Sequence, residues 1–302
     1  MRTSVSVVVL SHNRPHLLRQ ALAALAAQTY PASELEILVV DNRSEASEEI
    51  AKIVAGHPPM RLIANPENLG FTGGMNVGLR AATGDLVYLT EDDILLDPDN
   101  IAELVAYVAS DPRAGLVSGI MLDEPSGRIW FAGGHVTLGP WFRLDMPGRD
   151  ALDTGQFARP FAVSYLSGAT MLARRELWAE LGGFREDFFM YQEDVEIGLR
   201  VLATGRRLVI VPSARSRHFH PAPGPHRPVI AFHLWKNLFA LYALHAPATV
   251  LPEFFLRCAL LTLRGRPEKG APSVQAWVHF MRHLAGLLRD RRRVASVPAA
   301  CS

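Results

Sequence analysis

Short apolar runs alternate with helical stripes along the first 120 residues, and this alternation limits the fold more than any other feature of the chain. Val5 to Leu10 is a short, valine-rich run of the kind that fills a buried strand. Pro15 suits a first helical position, and Leu17, Leu18, Ala21, Leu22 and Leu25 follow at helical spacing. Glu36 to Val40 reads as a second strand, then a helix up to about Ala55, then a short strand from Met60 to Ala64. Gly70 to Gly74 reads as a glycine-rich turn into a helix through Ala82, and Leu86 to Thr90 as the next strand. Asp97-Pro98 looks like the cap and first position of a helix whose inward face is Ile101, Leu104, Val105 and Val108. Repeated βαβ units of this length imply an α/β protein with a mostly parallel sheet and helices on both faces.

The pattern loosens from Gly115 to about Pro160, where turns at Pro125-Ser126-Gly127 and Gly133-Gly134 predict further strands and a hairpin. Val163 to Ala173 reads as one strand, Arg174 to Leu181 and Glu193 to Ala203 as helices, and Leu208 to Val211 as a last strand. A proline-rich stretch, Pro221 to Pro228, then separates this core from a helical C-terminal region. With 302 residues, 49% hydrophobic and 20% charged, the composition is globular and excludes a disordered or fibrous chain. Two cysteines exclude a disulfide framework and a cysteine-rich metal site. The net charge of +1 divides into −6 before Val229 and +7 after it. An acidic body argues against nucleic acid, whereas a basic, apolar tail leaves a membrane surface open. No export signal is visible and no run of about 20 apolar residues occurs, so the expected location is cytoplasmic, with peripheral contact of the tail at the membrane's cytoplasmic face left open.

In open parallel sheets ligands bind at the carboxyl ends of the strands. Four polar clusters fall at such ends: Ser11-His12-Asn13, Asp41-Asn42-Arg43-Ser44, Glu91-Asp92-Asp93 and Arg217-His218-Phe219-His220. Three carboxylates in succession repel one another unless a cation relieves them, and carboxylate oxygens suit Mg²⁺ or Mn²⁺ bridging to substrate phosphates. His218 and His220 alternate, so on a strand they share a face, where a neutral imidazole could complete a metal shell. The stretch Asn65 to Gly78 has neither a dinucleotide fingerprint nor a P-loop lysine, and reads best as a helix start whose glycines let a ligand approach the backbone. A second acidic cluster, Glu193-Asp194-Val195-Glu196, follows Phe188-Phe189-Met190-Tyr191, and apolar walls beside paired carboxylates suit a general base. Glu196 could instead pair with Arg200 one helical turn away.

In this order the motifs resemble family 2 inverting glycosyltransferases of the GT-A fold, a Rossmann-like sheet flanked by helices, and among them bacterial rhamnosyltransferase-like members. The resemblance rests on Val7-Val8-Val9-Leu10-Ser11-His12-Asn13-Arg14, Val39-Val40-Asp41-Asn42-Arg43-Ser44, the DxD-type acidic triplet, Ser167-Gly168-Ala169, Gly182-Gly183-Phe184, Phe189 to Glu196, and Val211 through His218. It implies residues 1–228 as the nucleotide-sugar transferase unit, with a donor half to about 120 and an acceptor half from about 121. Residues 229–302 are then a helical, basic extension. It implies that Asp41 contacts the base of a nucleotide-sugar donor, with Ser11, Asn13 and Ser44 beside it, and that Gly73, Asn76 and Asp92 border the donor. Asp93 would hold a divalent cation, Mn²⁺ or Mg²⁺, with Glu91 and His218. Asp194 would be the general base, with Glu193 beside it, acting on a glycan or lipid-linked acceptor. Lys236-Asn237 stands where the resemblance predicts Arg-Asn.

Two other functions fit less well. A sugar nucleotidyltransferase should carry a glycine- and arginine-rich phosphate loop after its first strand, and Ser11 to Pro15 lacks one. A non-catalytic nucleotide-sugar binder would be favoured by loss of Asp93 or Asp194, and both are present. In the tail, Val274, Trp277, Val278, Met281, Leu284 and Leu288 form an apolar stripe that either packs on the body or a second subunit, or lies in an anionic membrane surface.

Overall fold

The computed structural model describes residues 3–219, 228–264 and 272–294. In chain order the elements are β1 (Val5–Ser11), α1 (Pro15–Ala26), β2 (Leu35–Asp41), α2 (Ser47–Ala55), β3 (Arg61–Ala64), α3 (Gly70–Ala81), β4 (Leu86–Glu91) and β5 (Ile94–Leu96). There follow α4 (Asn100–Ser110), β6 (Ala114–Asp123), β7 (Ile129–Phe131), β8 (His135–Leu138), β9 (Phe142–Asp145), β10 (Phe161–Val163), β11 (Thr170–Arg174), α5 (Arg175–Leu181), α6 (Glu193–Ala203) and β12 (Arg207–His218). Three helices close the chain: α7 (Pro228–His245), α8 (Leu251–Leu263) and α9 (Val274–Val294).

Every residue of β1 is buried, which is why its sequence is mostly Val and Leu rather than alternating, with only Ser6 and Ser11 polar. It pairs in parallel with β2 on one side and β4 on the other, and β3 extends the sheet beyond β2. The full order is β10-β12-β6-β11-β4-β1-β2-β3, with β5 on β12 and β7 on β6. Strand order therefore reverses at β1, and a crevice opens at the carboxyl ends of β1 and β4. The far half is mixed: β11 runs antiparallel to both β4 and β6, and β12 runs parallel to β6. The predicted hairpin is β8 with β9.

Four local readings change. The single strand predicted over Val163 to Ala173 is two, β10 at the sheet edge and β11 in its middle. The last strand runs seven residues past Val211 to His218, and Pro212 sits in a register shift between Ile210 and Arg215, where a missing N–H breaks no ladder bond. Asp97 and Pro98 lie in the turn before α4, which Asp99 precedes. Most consequentially, α3 begins at Gly70 itself, so the glycines belong to the helix rather than to a turn ahead of it. A methyl group at Gly78 would overlap Val8, and one at Gly74 would meet Leu10 at 2.5 Å, so these glycines let α3 lie close on β1.

Apolar side chains gather in two clusters. The larger surrounds the sheet, and the smaller joins Phe239, Tyr242, Phe254 and Phe280 of α7, α8 and α9 with Phe188 from the body. The stripe on α9 divides, since Trp277 and Leu284 pack inward while Val274, Val278, Met281 and Leu288 are exposed. Leu256, Leu260 and Leu263 of α8 are exposed as well. Among the described residues no helix is long and apolar enough to cross a membrane. The proline-rich segment to Arg227, and His220 with its expected metal role, lie outside the described residues.

Candidate active site

Ser11 ends β1 and Glu91 ends the adjacent β4, which places two of the predicted clusters side by side at the reversal of strand order. Ser11 Oγ donates to Asp92 Oδ2 at 2.8 Å and the His12 N–H reaches the same oxygen at 3.3 Å. Arg14, just before α1, reaches the whole triplet. Its Nη2 lies 2.7 Å from Asp92 Oδ1 and 3.7 Å from Glu91 Oε2, and its Nη1 binds Asp93 Oδ2. Burial pushes the Asp92 carboxyl up to about 7, against the pull of Arg14. Glu91 is raised by burial and by Asp93. Asp93 goes the other way: burial opposes its charge, but the adjacent His218 imidazole and the Arg14 guanidinium outweigh it and hold the carboxyl low.

His218 comes to Asp93 because β5 turns back directly after the triplet and pairs with the end of β12, Ile94 opposite His218. Its Nε2 lies 3.7 Å from Asp93 Oδ2, and Trp130 packs edge-on against the ring at 4.3 Å between centroids. Asp93 Oδ1 is buried with no hydrogen-bond partner. Among the described residues no three His, Cys, Asp or Glu side chains converge as a ready metal cage. A carboxylate with an unused oxygen and an adjacent imidazole nevertheless fit a divalent ion that completes its shell with substrate phosphates and water. Glu91 faces Arg14 and lies within electrostatic reach of Asp194.

On the β2 side, a chain of short bonds links the loops. Asp41 is buried and its Oδ1 accepts the Ser44 N–H at 3.0 Å, Ser44 Oγ accepts the Asn13 N–H at 2.9 Å, and Asn13 Oδ1 accepts the Glu45 N–H at 2.7 Å. Asn13 and Arg43 adopt positive φ, the conformation such crossed loop bonds require. Ser11, Asn13, Asp41, Ser44 and Asp92 thus gather at one end of the sheet. Gly73 and Asn76 lie on α3, and their surroundings are protein: Leu69 fills the space beside Gly73, and the Asn76 amide exchanges hydrogen bonds with the Phe184 backbone at 2.8 Å in both directions.

Across the crevice, Asp194 stands in the first turn of α6, where the helix dipole favours negative charge. Tyr165 Oη donates to its Oδ2 at 2.9 Å, the Gly168 N–H reaches the same oxygen at 3.4 Å, and the Val195 N–H donates to Oδ1 at 2.8 Å. Burial raises its pKa and these three donors restrain the rise. Glu193 is raised well above the carboxylate range by burial and by Asp194, and its Oε2 is buried without a hydrogen-bond partner. Of the two, Asp194 has the donors that favour the ionised form. Glu91 raises the Glu193 carboxyl and Asp194 raises that of Glu91, so the acidic triplet and the second cluster lie within electrostatic reach of each other. Glu196 is buried and paired with Arg200 at 2.8 Å, as the spacing predicts, and with His245 of α7 at 3.2 Å.

Three participants escaped the sequence reading. Arg14 stood inside the first motif without an assigned role. Asn42 holds the start of α3, donating to Asn68 Oδ1 at 3.0 Å and to the Gly70 carbonyl at 2.9 Å while accepting from Asn65 and Leu69. Tyr165, between β10 and β11, carries no local signal, because only the sheet brings it to Asp194.

An α/β sheet with carboxylates and a histidine at its strand ends, beside a half-buried aspartate held by three donors, is the architecture of a GT-A glycosyltransferase. The GalNAc-T7 structure with UDP, GalNAc and Mn²⁺ aligns over 97% of this chain and 55% of its own with a TM-score of 0.67 at 17% identity. The mannosyltransferase PcManGT of Pyrobaculum calidifontis with GDP-Man and Mn²⁺ aligns over 98% of this chain and 86% of its own, at 0.60 and 20%. A sequence model of "Glycosyltransferase like family 2" matches residues 2–227, and the chain belongs to that family. It is 31% identical over 229 residues to the N-acetylglucosaminyl-diphospho-decaprenol L-rhamnosyltransferase of Mycobacterium tuberculosis, covering 68% of this chain and 72% of that protein. It is 33% identical over 236 residues to the O-antigen biosynthesis protein RfbC of Myxococcus xanthus, covering 72% of this chain but 17% of the longer protein.

Proposed function

We propose that this glycosyltransferase moves a sugar from a UDP- or dTDP-sugar, dTDP-rhamnose among them, to a hydroxyl of a glycan or lipid-linked acceptor with inversion at the anomeric carbon. The observation that carries this reading is that Asp194, half-buried and held by three donors, lies within electrostatic reach of Glu91, two residues from the Asp93–His218 pair. The donor would lie along the ends of β1 and β2, its nucleotide against Asp41, Asn13 and Ser44. The acceptor hydroxyl gives its proton to Asp194, its oxygen bonds to the anomeric carbon, and the bond to the diphosphate oxygen breaks with its electron pair leaving on that oxygen. A single displacement by one base inverts the centre. Asp93 and His218 would hold Mn²⁺ or Mg²⁺, which when bound neutralises charge on the departing diphosphate. The exposed Leu256, Leu260 and Leu263 of α8 and Val278 and Met281 of α9, in a basic tail, support contact with an anionic membrane near a lipid-linked acceptor. The name of the mycobacterial relative supports such an acceptor.

The test combines calorimetric titration of UDP and dTDP, with and without Mn²⁺, with turnover of Asp194→Asn. Metal-dependent binding that Asp93→Ala removes, together with intact binding but turnover at least 100-fold lower in Asp194→Asn, is expected. Undiminished turnover in Asp194→Asn refutes the assignment of the base.

A further inference from the structure

The turn that delivers Glu193 and Asp194 to the crevice is held in an unfavourable conformation, and the groups that hold it come from α7. Phe189, Tyr191 and Gln192 all have positive φ, at 63°, 69° and 66°, and none is glycine. Phe189, with ψ at −59°, sits at the centre of a γ-turn closed by the Met190 N–H on the Phe188 carbonyl at 2.7 Å, a geometry rarely adopted without external support. Left to itself, such a segment would relax, and Asp194 would move with it.

On α7, His233, Lys236 and Asn237 fall at i, i+3 and i+4, so they share one face. Asn237 Nδ2 donates to the carbonyls of Phe188, Met190 and Tyr191 at 2.9, 2.8 and 2.6 Å. Lys236 Nζ donates to the carbonyls of Asp187 and Phe188 at 2.6 and 3.1 Å and to Asn237 Oδ1 at 2.7 Å. The ammonium therefore finds three acceptors, and it orients the amide that grips the turn. Both side chains are buried, at 5% and 1% exposure, an arrangement that leaves a lysine no role in solvation. The His233 ring stacks on Phe189 at 5.0 Å. From the opposite side the Thr72 N–H of α3 donates to the Phe189 carbonyl at 3.2 Å, and Gly70 leaves room for the Phe189 ring.

We infer that Lys236 and Asn237 are positioning residues for transfer: the C-terminal helix α7 clamps the strained Phe188–Gln192 turn, and through it sets the place of the base. The inference rests on the reading of Asp194 as that base. A displacement of about 1 Å at a reacting group can cost about a hundredfold in rate, so the clamp acts on kcat rather than on donor affinity.

The test uses the full chain and three variants, Asn237→Ser, Lys236→Met and Asp194→Asn, with two readouts. Hydrogen exchange of the wild-type protein should show the Phe188–Gln192 amides protected, and Asn237→Ser should speed their exchange at least tenfold without changing β1. Turnover of Asn237→Ser and Lys236→Met should fall about 10- to 100-fold in kcat, with UDP or dTDP affinity within twofold of wild type, which also certifies the fold. Wild-type exchange at the rate of an open loop, or kcat within twofold in both variants, overturns the clamp. Active Asp194→Asn refutes the base instead, and leaves the exchange result to judge the clamp separately.

Discussion

Replacing Tyr165 with phenylalanine removes one atom from the site and isolates one interaction. Tyr165 Oη donates to Asp194 Oδ2 at 2.9 Å, and burial and Asp194 raise the phenol's own pKa well above its usual value, so it remains a donor throughout the working range. A hydrogen bond to a buried charge contributes about 1.5–3 kcal/mol, and 1.36 kcal/mol corresponds to one pH unit. The bond favours the ionised carboxylate, so its loss raises the Asp194 pKa by about 1–2 units. The remaining donors, Val195 N–H at 2.8 Å and Gly168 N–H at 3.4 Å, keep the change from growing further. In the proposed mechanism transfer requires the carboxylate, so the acid limb of the kcat/KM profile should move to higher pH by the same 1–2 units, with little change on the alkaline plateau. The assay is a pH profile of both proteins with one donor and acceptor pair, with nucleotide affinity as the control for folding. Superimposable profiles, or a limb that moves to lower pH, refute the role of this hydrogen bond in tuning the base.

Other perturbations follow from the same geometry. Gly78→Ala places a methyl group against Val8 and should destabilise by about 1–3 kcal/mol despite alanine's better helix propensity; a raised urea midpoint refutes the close packing of α3 on β1. Glu193 has its folded pKa raised above the unfolded value, so the stability it contributes is present below about 4.5 and is lost as pH rises toward the folded value. Urea midpoints of Glu193→Gln should therefore gain on wild type between pH 5 and pH 8, and a pH-independent difference contradicts the raised carboxyl. Arg14→Gln removes a guanidinium paired with Asp92 and with Asp93, the proposed cation ligand, so Mn²⁺ affinity without nucleotide should rise about 3- to 10-fold by calorimetry. Weaker Mn²⁺ binding in that variant shows that Arg14 helps rather than hinders the metal.

The parts of this molecule that sequence makes legible are those governed by neighbours a few residues away. The Val5–Leu10 run, the stripe from Leu17 to Leu25 and the Glu196–Arg200 spacing on α6 each report a pattern that the chain carries within one element. The strand-end clusters were legible for the same reason, since an acidic triplet after an apolar run marks where a parallel strand stops. The glycines of α3 were misplaced because their reason lies across the fold: they make room for Val8 and Leu10 of another element, and nothing local separates that from a turn. Likewise the strand predicted over Val163 to Ala173 was split by its partners, with β10 recruited to β12 and β11 inserted between β4 and β6.

Local periodicity thus decided that the chain is an α/β protein with acidic and histidine-bearing strand ends, because backbone propensity and hydrophobic spacing act over single elements. Only the tertiary structure decided which of those ends meet. Asp93 and His218 are 125 residues apart in sequence and neighbours only through the pairing of β5 with β12. Asp194 gains Tyr165 through the sheet, and the turn before it is hydrogen-bonded to Asn237 of α7. Burial, hydrogen-bond donors and facing charges set the behaviour of a carboxylate, and each is a property of distance in space that separation along the chain does not encode.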